Sequence, residues 1–205
     1  RWHAAVAIYD GKLYVFGGVN SRTEEYLLSC ERYDIEKRRW EFLPPMRTRR
    51  CGCCAVATDD GKIYVIGGYD EHEFLNTVEI LNTRDDTWST GPDMPTRRQC
   101  CAVVIQGLIL VIGGCNHDSM QLSLVDVFNP NTRVWTKLEP LQKRRCGCGA
   151  AVVDNRVIVV GGKDEDGNTL NSTEILTLPD EFPPPRSSSV GHDVLPVVPL
   201  VELLD

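Results

Sequence analysis

A pair of adjacent glycines recurs four times along this chain, with spacings of 50, 46 and 48 residues. The pairs are Gly17-Gly18, Gly67-Gly68, Gly113-Gly114 and Gly161-Gly162. Each pair directly follows a run of apolar residues, such as the run from Ile63 to Ile66 before the second pair. Short apolar runs bounded by turn residues are typical of strands that are buried on both faces. The period therefore predicts a β-repeat of about 48 residues, and this repeat is what most constrains the fold.

Further signals recur in register within each repeat. A turn pair such as Asp10-Gly11 precedes each apolar run, and such residues adopt the positive φ angles that two-residue hairpins need. A strand after each glycine pair carries one acid, and in the first three repeats a tryptophan stands nine residues after that acid. The acids are Glu31, Glu79, Asp126 and Glu174, and the tryptophans are Trp40, Trp88 and Trp135. Each repeat is therefore predicted to be an antiparallel meander of four short strands.

A single four-stranded meander cannot bury both of its faces, whereas radial stacking of several meanders can. The sequence thus predicts an all-β fold, a β-propeller of about four blades. A helical repeat of similar period is excluded, because no apolar stripe with a 3.6-residue period extends over ten residues.

The chain resembles the kelch-repeat family in these glycine pairs and tryptophans, in Tyr14 and Tyr64 within the apolar runs, and in Pro-Met elements ahead of arginine pairs. It is most similar to the kelch-like substrate-adaptor proteins. The resemblance covers residues 1–178, divided into units of about 1–46, 47–95, 96–142 and 143–178. Kelch propellers close with six or seven blades, so it implies three complete blades and one partial blade from a larger ring.

The segment 179–205, which contains proline and serine, is expected to be a tail or a degraded repeat. Phe182 stands one residue before the place where the fourth tryptophan would be expected. The run from Pro183 to Arg186 is an echo of the Pro-Met element.

An arginine pair precedes the first strand of each later repeat, as Arg49-Arg50, Arg97-Arg98 and Arg144-Arg145. One interpretation is solvated surface charge, or ion pairs with the registered acids of the same chain. The other is a set of guanidinium groups around one mouth of the propeller, where they would bind the carboxylates of an acidic peptide. In the kelch-like adaptors the second arginine can face the partner, and the resemblance assigns that role to Arg50, Arg98 and Arg145.

The loops after the glycine pairs are the longest and the least alike, which favours them as binding surfaces. The resemblance places the first residue after each pair at the same mouth, namely Val19, Tyr69, Cys115 and Lys163. Tyr69 is the strongest candidate anchor because it offers both area and a hydroxyl. The neighbouring amides Asn20 and Asn116 are further candidates for partner binding.

The registered tryptophans Trp40, Trp88 and Trp135 are predicted to be structural and to bury area between successive blades. Their replacement by alanine is expected to cost about 3–5 kcal/mol each. The four glycine pairs are likewise predicted to be structural.

Seven of the nine cysteines fall in three clusters after the arginine pairs, around Cys51, Cys100 and Cys146. These clusters lack the Cys-x-x-Cys spacing of zinc sites, and cysteines two apart in a strand lie too far apart for a disulfide. We expect compact apolar packing next to the axis. A redox-sensitive thiol at Cys51 or Cys146, activated by the adjacent arginine, is the alternative.

The formal net charge of −7 removes the simplest electrostatic argument for nucleic-acid binding, and no apolar run is long enough to span a membrane. The four histidines are not in register with one another, and no nucleophile–base arrangement is present. We therefore expect no catalysis, no metal and no cofactor. The chain shows no leader, so reduced thiols in the cytoplasm are expected, with the nucleus as an alternative.

The predicted function is that of a non-catalytic module that binds a protein or an acidic peptide. The resemblance adds substrate recognition for a ubiquitin ligase. Three alternatives remain open: an actin-associated kelch scaffold and, on the same fold, an oxidase or a sugar-acid isomerase. The open end blades also predict self-association.

Overall fold

The computed structural model describes residues 1–118, 121–178 and 202–204, and every regular element in this part of the chain is a β-strand. The strands are β1 (Ala5–Tyr9), β2 (Lys12–Phe16), β3 (Cys30–Asp34), β4 (Arg39–Leu43), β5 (Cys54–Ala57), β6 (Lys62–Ile66), β7 (Val78–Asn82), β8 (Thr87–Thr90), β9 (Gln99–Ile105), β10 (Leu108–Cys115), β11 (Val125–Asn129), β12 (Val134–Lys137), β13 (Gly149–Val153), β14 (Arg156–Val160), β15 (Thr173–Thr177) and β16 (Glu202–Leu204). In the same residues there is no helix long and apolar enough to cross a membrane.

The strands form four four-stranded sheets, and each sheet takes four consecutive strands in chain order. We call them the first blade (β1–β4), the second (β5–β8), the third (β9–β12) and the fourth (β13–β16). The prediction of about four blades of antiparallel sheet is confirmed. The fourth blade was predicted to be partial, but its sheet also has four strands. In the fourth blade the outer strand is β16, whose residues 202–204 pair with β15. The predicted echoes at Phe182 and 183–186 lie outside the described residues.

The hairpins between the first two strands of each blade follow from the turn residues. Asp10 and Gly11 both have positive φ, of 46° and 66°, which gives the two-residue turn that was predicted. The second blade departs from this pattern. There Thr58 pairs with Lys62 around a three-residue loop in which Gly61, but not Asp60, has a positive φ. Three-residue hairpin loops need one such residue, so the extra residue before Gly61 changes the turn without changing the meander.

The chain divides into two compact units, residues 1–100 and 101–205, with the boundary inside β9. In the first unit, one face of the first blade packs against one face of the second. Ala7 and Phe16 of the first blade share a buried apolar cluster with Ile63, Val65 and Leu81 of the second. Alternate residues of a strand point to opposite faces, so this packing uses every second residue of each strand.

The second unit has a core of the same kind between the third and fourth blades. Leu110, Ile112 and Val127 of the third blade share a buried cluster with Val157 and Val159 of the fourth. All five side chains are at most 1% exposed. Burial of such side chains supplies the apolar free energy that holds neighbouring blades together.

The glycine pairs are required where one blade approaches the next segment of backbone. Gly67 has a φ of +62°, and a Cβ atom built on it would lie 2.5 Å from the carbonyl oxygen of Arg98. Real Cβ atoms do not approach an oxygen so closely, and L-residues with side chains avoid this φ. The amide of Gly68 then donates to that same carbonyl over 3.0 Å. The pair therefore fixes the close approach between the end of β6 and the arginine segment.

The three tryptophans are not equally buried, although they were predicted to share one role. Trp88 packs edge-on against Phe16 of the first blade at 5.9 Å between ring centroids, and its Nε1 donates to the carbonyl of Pro44 over 2.8 Å. Trp40 is 53% exposed and contacts the ring of Tyr33 within its own blade. Trp135 is partly buried beside Phe128 of its own blade. Burial between blades is therefore seen for Trp88. Trp40 is exposed because no blade covers that face in the described residues, and the cost of its replacement stays a prediction.

Candidate functional site

Arg50 and Arg145, the second arginines of the first and third pairs, are buried clamps. In the first unit, the Nε and Nη2 atoms of Arg50 donate to Oε1 of Glu79 over 3.2 and 3.0 Å. Its Nη1 donates to the carbonyls of Gly67 and Thr77, and its Nη2 also donates to Oγ1 of Thr77 over 2.8 Å. The exposed fraction is 0% for Arg50 and 3% for Glu79. The five donors of this guanidinium are thus directed at acceptors of the second blade.

The second unit repeats this arrangement with Arg145. Its Nε donates to Oε1 of Glu174 over 2.9 Å, and its Nη atoms donate to the carbonyl groups of Gly161 and Ser172 and to the hydroxyl of Ser172. Both members of the ion pair are 0% exposed. Arg1 makes the corresponding contacts in the first blade, to Gly17, Ser29 and Glu31, but remains 20% exposed.

Each clamp joins two blades. The carbonyl of Arg50 accepts a hydrogen bond from the amide of Gly18 in the first blade over 2.7 Å, while its side chain binds the second blade. Glu79 also accepts the backbone amides of Arg47 and Thr48, over 2.7 and 3.1 Å. Buried charges are tolerated when they are paired and fully hydrogen-bonded, and both conditions are met here.

Arg50 and Arg145 thus form ion pairs with the registered acids Glu79 and Glu174, as the first interpretation of the arginine pairs expects. Arg98 is also 0% exposed. A partner cannot touch a side chain that has no exposed surface, so partner binding through Arg50, Arg98 and Arg145 stays a prediction that their burial does not favour. The first arginines of the pairs, Arg49, Arg97 and Arg144, are exposed instead.

The residue after each glycine pair has a fixed backbone position in the blade. Tyr69 forms isolated bridges with Cys51 on one side and Phe74 on the other, and Lys163 forms them with Cys146 and Thr169. The bridges hold the two ends of the loop and the segment after the arginine pair side by side. The side chains differ in access, since Val19 is 2% exposed while Tyr69 is partly exposed and Lys163 is exposed.

Tyr69 belongs to a cluster of aromatic rings in the first unit. Its ring centroid lies 5.8 Å from that of Tyr26 and 5.2 Å from that of Phe74. Two exposed arginines border the cluster: Nη1 of Arg49 donates to the carbonyl of Tyr26 over 2.5 Å, and Nη1 of Arg97 donates to that of Phe74 over 3.3 Å. We call these five residues the Tyr69 surface. Partly exposed aromatic rings next to arginines have the composition of binding hot spots.

The predicted amides have a more local role. Oδ1 of Asn20 accepts the backbone amide of Arg22 over 2.9 Å, so this side chain holds the turn of its own loop. Such Asx turns are the ordinary use of asparagine in loops. Asn116 is partly buried in the corresponding loop of the third blade.

Sequence reasoning singled out Tyr69 but not the other members of the Tyr69 surface. A usable signal was present, since Tyr26-Leu27 and Phe74-Leu75 are aromatic-leucine pairs at the same place in two repeats. The leucine of each pair is hydrogen-bonded to the glycine pair; for example, the amide of Leu75 donates to the carbonyl of Gly68 over 2.8 Å. The preceding aromatic ring is then placed next to the residue after the glycines.

All nine cysteines are in the thiol form. Cys53 belongs to the buried cluster of the first unit, as the packing interpretation predicts, and burial raises its pKa to about 12. Burial also raises the pKa of Cys51, so activation of this thiol by Arg50, whose guanidinium is engaged with Glu79, is not supported. In residues 1–118 and 121–178 there is no group of three or more His, Cys, Asp and Glu side chains that could hold a metal ion.

Comparison with known proteins identifies the same repeat. The family model of the KLHDC2/KLHL20/DRC7 Kelch-repeats domain matches residues 1–162. Kelch-like protein 35 of Mus musculus is 30% identical over 175 residues, which cover 84% of this chain and 29% of that protein. Kelch-like protein 41b of Danio rerio is 30% identical over 202 residues, covering 91% and 33%. The chain thus spans about a third of the length of these relatives.

A solved structure, described as "Structure of YjhT", matches with a TM-score of 0.74 at 16% sequence identity, over 85% of this chain and 61% of that one. At this identity the likeness concerns the fold. The prediction of an all-β propeller of the kelch type is confirmed by this match together with the four meander sheets. With residues 1–162 matched by the family model, the chain belongs to the kelch-repeat family.

Proposed function

We propose that this chain is a non-catalytic module that binds a protein partner, and that the Tyr69 surface in residues 1–100 makes the contact. The observation that carries the proposal is the aromatic cluster of Tyr26, Tyr69 and Phe74 with Arg49 and Arg97 at its border. Tyrosine and arginine dominate the energetics of protein interfaces. Loops held by a rigid scaffold are also where binding surfaces usually lie.

The chemistry of this surface favours a partner segment that carries acidic and apolar side chains. Exposed guanidinium groups bind carboxylates in two-pronged hydrogen bonds, and the aromatic rings supply apolar area. Arg97 is also paired with Glu73 over 2.7 Å, whereas Arg49 donates to the backbone carbonyl of Tyr26. Arg49 therefore keeps its charge available to an acidic partner without displacing a carboxylate.

The test is capture of partners from extract by the chain and by the double variant Arg49→Ala, Tyr69→Ala. We expect the variant to keep its melting temperature and to lose captured partners, most steeply at low salt because exposed charges are screened. Arg84→Ala, an exposed arginine in the β7–β8 turn of the same blade, is the matched control and should capture the same partners as wild type. Equal capture by the double variant would disprove the proposed surface.

We further propose that the partner is a substrate recruited to a ubiquitin ligase, with the chain working in the cytoplasm or the nucleus. Membership of the kelch-repeat family and similarity to kelch-like proteins support this proposal. Mass spectrometry of proteins captured in cells by the complete protein should recover ligase subunits. Recovery of actin filaments instead would favour the cytoskeletal scaffold, which shares the fold and differs in its partner.

An oxidase or sugar-acid isomerase activity is the rival to a binding function. Elemental analysis of the purified chain tests the oxidase, because an oxidase would need a bound redox metal. Stoichiometric copper or zinc in the purified protein would contradict the non-catalytic proposal. Metal below a tenth of an equivalent, together with partner capture, would support it.

Self-association of the chain through its first blade is a separate part of the proposal. The register places Val6 of β1 and Phe42 of β4 in one row across the sheet, and Ile8 and Trp40 in the next row on the same face. All four side chains are more than half exposed. The equivalent face of the second blade, with Ile63, Leu81 and Trp88, is the one that packs on the first blade. We propose that a second copy of the chain covers this face.

Sedimentation of the 205-residue chain at micromolar concentration tests this contact. Phe42, at 83% exposure, can be replaced by serine with little effect on folding. We expect wild type to associate and Phe42→Ser to shift toward monomer. A micromolar dissociation constant corresponds to a binding free energy of about −8 kcal/mol. A wild-type chain that stays monomeric up to about 100 μM would exclude an interface of that affinity.

A further inference from the structure

The repeat register brings cysteines of neighbouring blades together in pairs. The sulfur atoms of Cys54 and Cys100 lie 3.2 Å apart, and those of Cys101 and Cys148 lie 3.5 Å apart. A third pair, Cys115 and Cys146, is joined by a side-chain hydrogen bond. Each pair joins residues from adjacent repeats. Cys101 and Cys148 hold the same position, three residues after the second arginine, whereas the members of the other two pairs hold different positions.

The backbone fixes the third pair at the end of β10. The amide of Gly114 donates to the carbonyl of Arg145 over 2.7 Å, so the next residues of the two segments, Cys115 and Cys146, are adjacent. Cys146 is held from its other side by Lys163, since its amide donates to the carbonyl of Lys163 over 3.0 Å and its carbonyl accepts the Lys163 amide over 2.8 Å. These backbone hydrogen bonds therefore fix the positions of Cys115 and Cys146 next to each other.

Access distinguishes this pair from the other two. Cys54 and Cys148 are 8% and 9% exposed, so one member of each of those pairs is buried. Cys115 and Cys146 are both partly exposed. The Cys115–Cys146 pair is therefore the one of the three in which neither residue is buried.

The electrostatic surroundings add reactivity to access. The hydrogen bond from Cys115, and secondarily the charge of Lys163, lower the pKa of Cys146 to about 7, against the opposing effect of burial. By contrast, burial raises the pKa of Cys30 to about 12. Since the thiolate is the nucleophile, these two cysteines of one chain differ widely in expected reactivity at neutral pH.

We propose that Cys115 and Cys146 form a redox-active dithiol, which hydroperoxides convert to a disulfide that links the third and fourth blades. The Cys146 thiolate attacks the terminal oxygen of the hydroperoxide, which breaks the O–O bond, gives a sulfenic acid and releases an alcohol or water after protonation. The Cys115 sulfur then attacks the sulfenic sulfur, loses its proton to solvent and expels hydroxide, which becomes water. The two thiols lose two electrons in total, and the hydroperoxide gains them.

The disulfide closes the segment between residues 115 and 146, which contains β11 and β12 of the third blade. A cross-link of this kind restricts the unfolded chain and stabilises the folded unit. It also removes the charge of the Cys146 thiolate from Lys163, a residue of the loop that follows the fourth glycine pair. Oxidation would therefore alter both the stability and the charge of this loop region in the second unit.

The first measurement is peptide mapping of the whole chain after treatment with hydrogen peroxide and blocking of free thiols. We expect a cross-linked peptide that joins Cys115 to Cys146 and disappears on reduction. The variant Cys115→Ser should instead accumulate a sulfenic acid at Cys146 that dimedone traps, while Cys146→Ser should form neither product. Cys101→Ser, from the neighbouring thiol pair, is the matched control and should form the cross-link as wild type does.

The second measurement is the rate of alkylation of Cys146 by iodoacetamide as a function of pH. We expect a half-maximal rate near pH 7, moved upward in Cys115→Ser, with Cys30 unreactive over the same range. A merely structural role for the pair would leave this profile unaffected by Cys115. Oxidation that first joins Cys101 to Cys148, or Cys54 to Cys100, while Cys115 and Cys146 stay reduced would overturn the proposal.

Discussion

The first and second blades carry the same sequence pattern but differ in how deeply their equivalent residues are buried. The ion pair of Arg1 with Glu31 is 20% and 25% exposed, whereas that of Arg50 with Glu79 is 0% and 3% exposed. Trp40 is 53% exposed, whereas Trp88 packs on Phe16 of the neighbouring blade. The second blade has the first blade against its tryptophan face. Neighbouring blades, and not the residue types themselves, therefore decide what a given repeat position contributes.

The largest difference is expected for the acids of the two ion pairs. Removing one partner of a buried, fully hydrogen-bonded pair leaves the other charge without compensation and costs about 3–5 kcal/mol, whereas partly exposed pairs contribute about 0–1 kcal/mol. Glu79→Ala should therefore lower the free energy of unfolding by the larger amount and Glu31→Ala by the smaller. Urea denaturation of the two variants makes the comparison, and similar losses would show that the blades do not differ in this way.

The tryptophans give an intermediate difference. Trp88→Ala removes a contact between two blades and the hydrogen bond to Pro44, and should cost about 3 kcal/mol. Trp40→Ala removes a contact with Tyr33 and should cost about 1 kcal/mol. Thermal unfolding of both variants at low protein concentration tests this order. A loss from Trp40→Ala as large as that from Trp88→Ala would mean that a further surface covers Trp40 in solution.

The smallest difference concerns acid sensitivity at one turn. Asp34 of the first blade and Asn82 of the second stand at equivalent ends of β3 and β7, opposite Lys12 and Lys62. The backbone amide of Lys37 donates to Oδ1 of Asp34. This hydrogen bond, together with the nearby ammonium group of Lys37, lowers the pKa of the Asp34 carboxyl. The stabilisation is present above the pKa of the unfolded chain, near 4, and is lost as the pH falls through the lower folded value.

The variant Asp34→Asn should consequently be slightly less stable than wild type at pH 6, and the difference should disappear as the pH falls through the lowered pKa of the folded chain. Urea midpoints measured across this range give the comparison. Asn82→Asp is the matched change in the second blade and should introduce the same pH dependence there. A constant difference between wild type and Asp34→Asn at all pH values would show that the carboxyl does not titrate differently on folding.

Most of the fold could be predicted from the sequence, because its determinants are local. The apolar runs, the turn residues and the glycine pairs each act within a few residues, and their common period of about 48 residues identified the blades. The exception at Gly61 is also local, since one additional loop residue changed the turn type. The strand at 202–204 could not be predicted, because the segment around it lacks the signals of the earlier repeats.

The candidate site was predicted in part. Tyr69 was expected at a binding surface and lies in the cluster with Tyr26 and Phe74. One of the two interpretations of the arginine pairs predicted ion pairs with the registered acids, and Arg50 and Arg145 form such pairs with Glu79 and Glu174. Which arginine of each pair is exposed could not be read from the sequence, because Arg49 and Arg50 are identical residues side by side.

The sequence by itself determined the repeat, the four strands in each blade and the registered set of arginines, acids, cysteines and glycines. Only the tertiary structure decided that Arg50 and Arg145 are buried clamps, that Trp40 and Trp88 differ in burial, and that Cys115 meets Cys146. The physical reason is that a periodic pattern specifies a position within one blade. Burial and thiol contacts depend on the residues that the adjacent blade brings to that position from about 30 to 50 residues away.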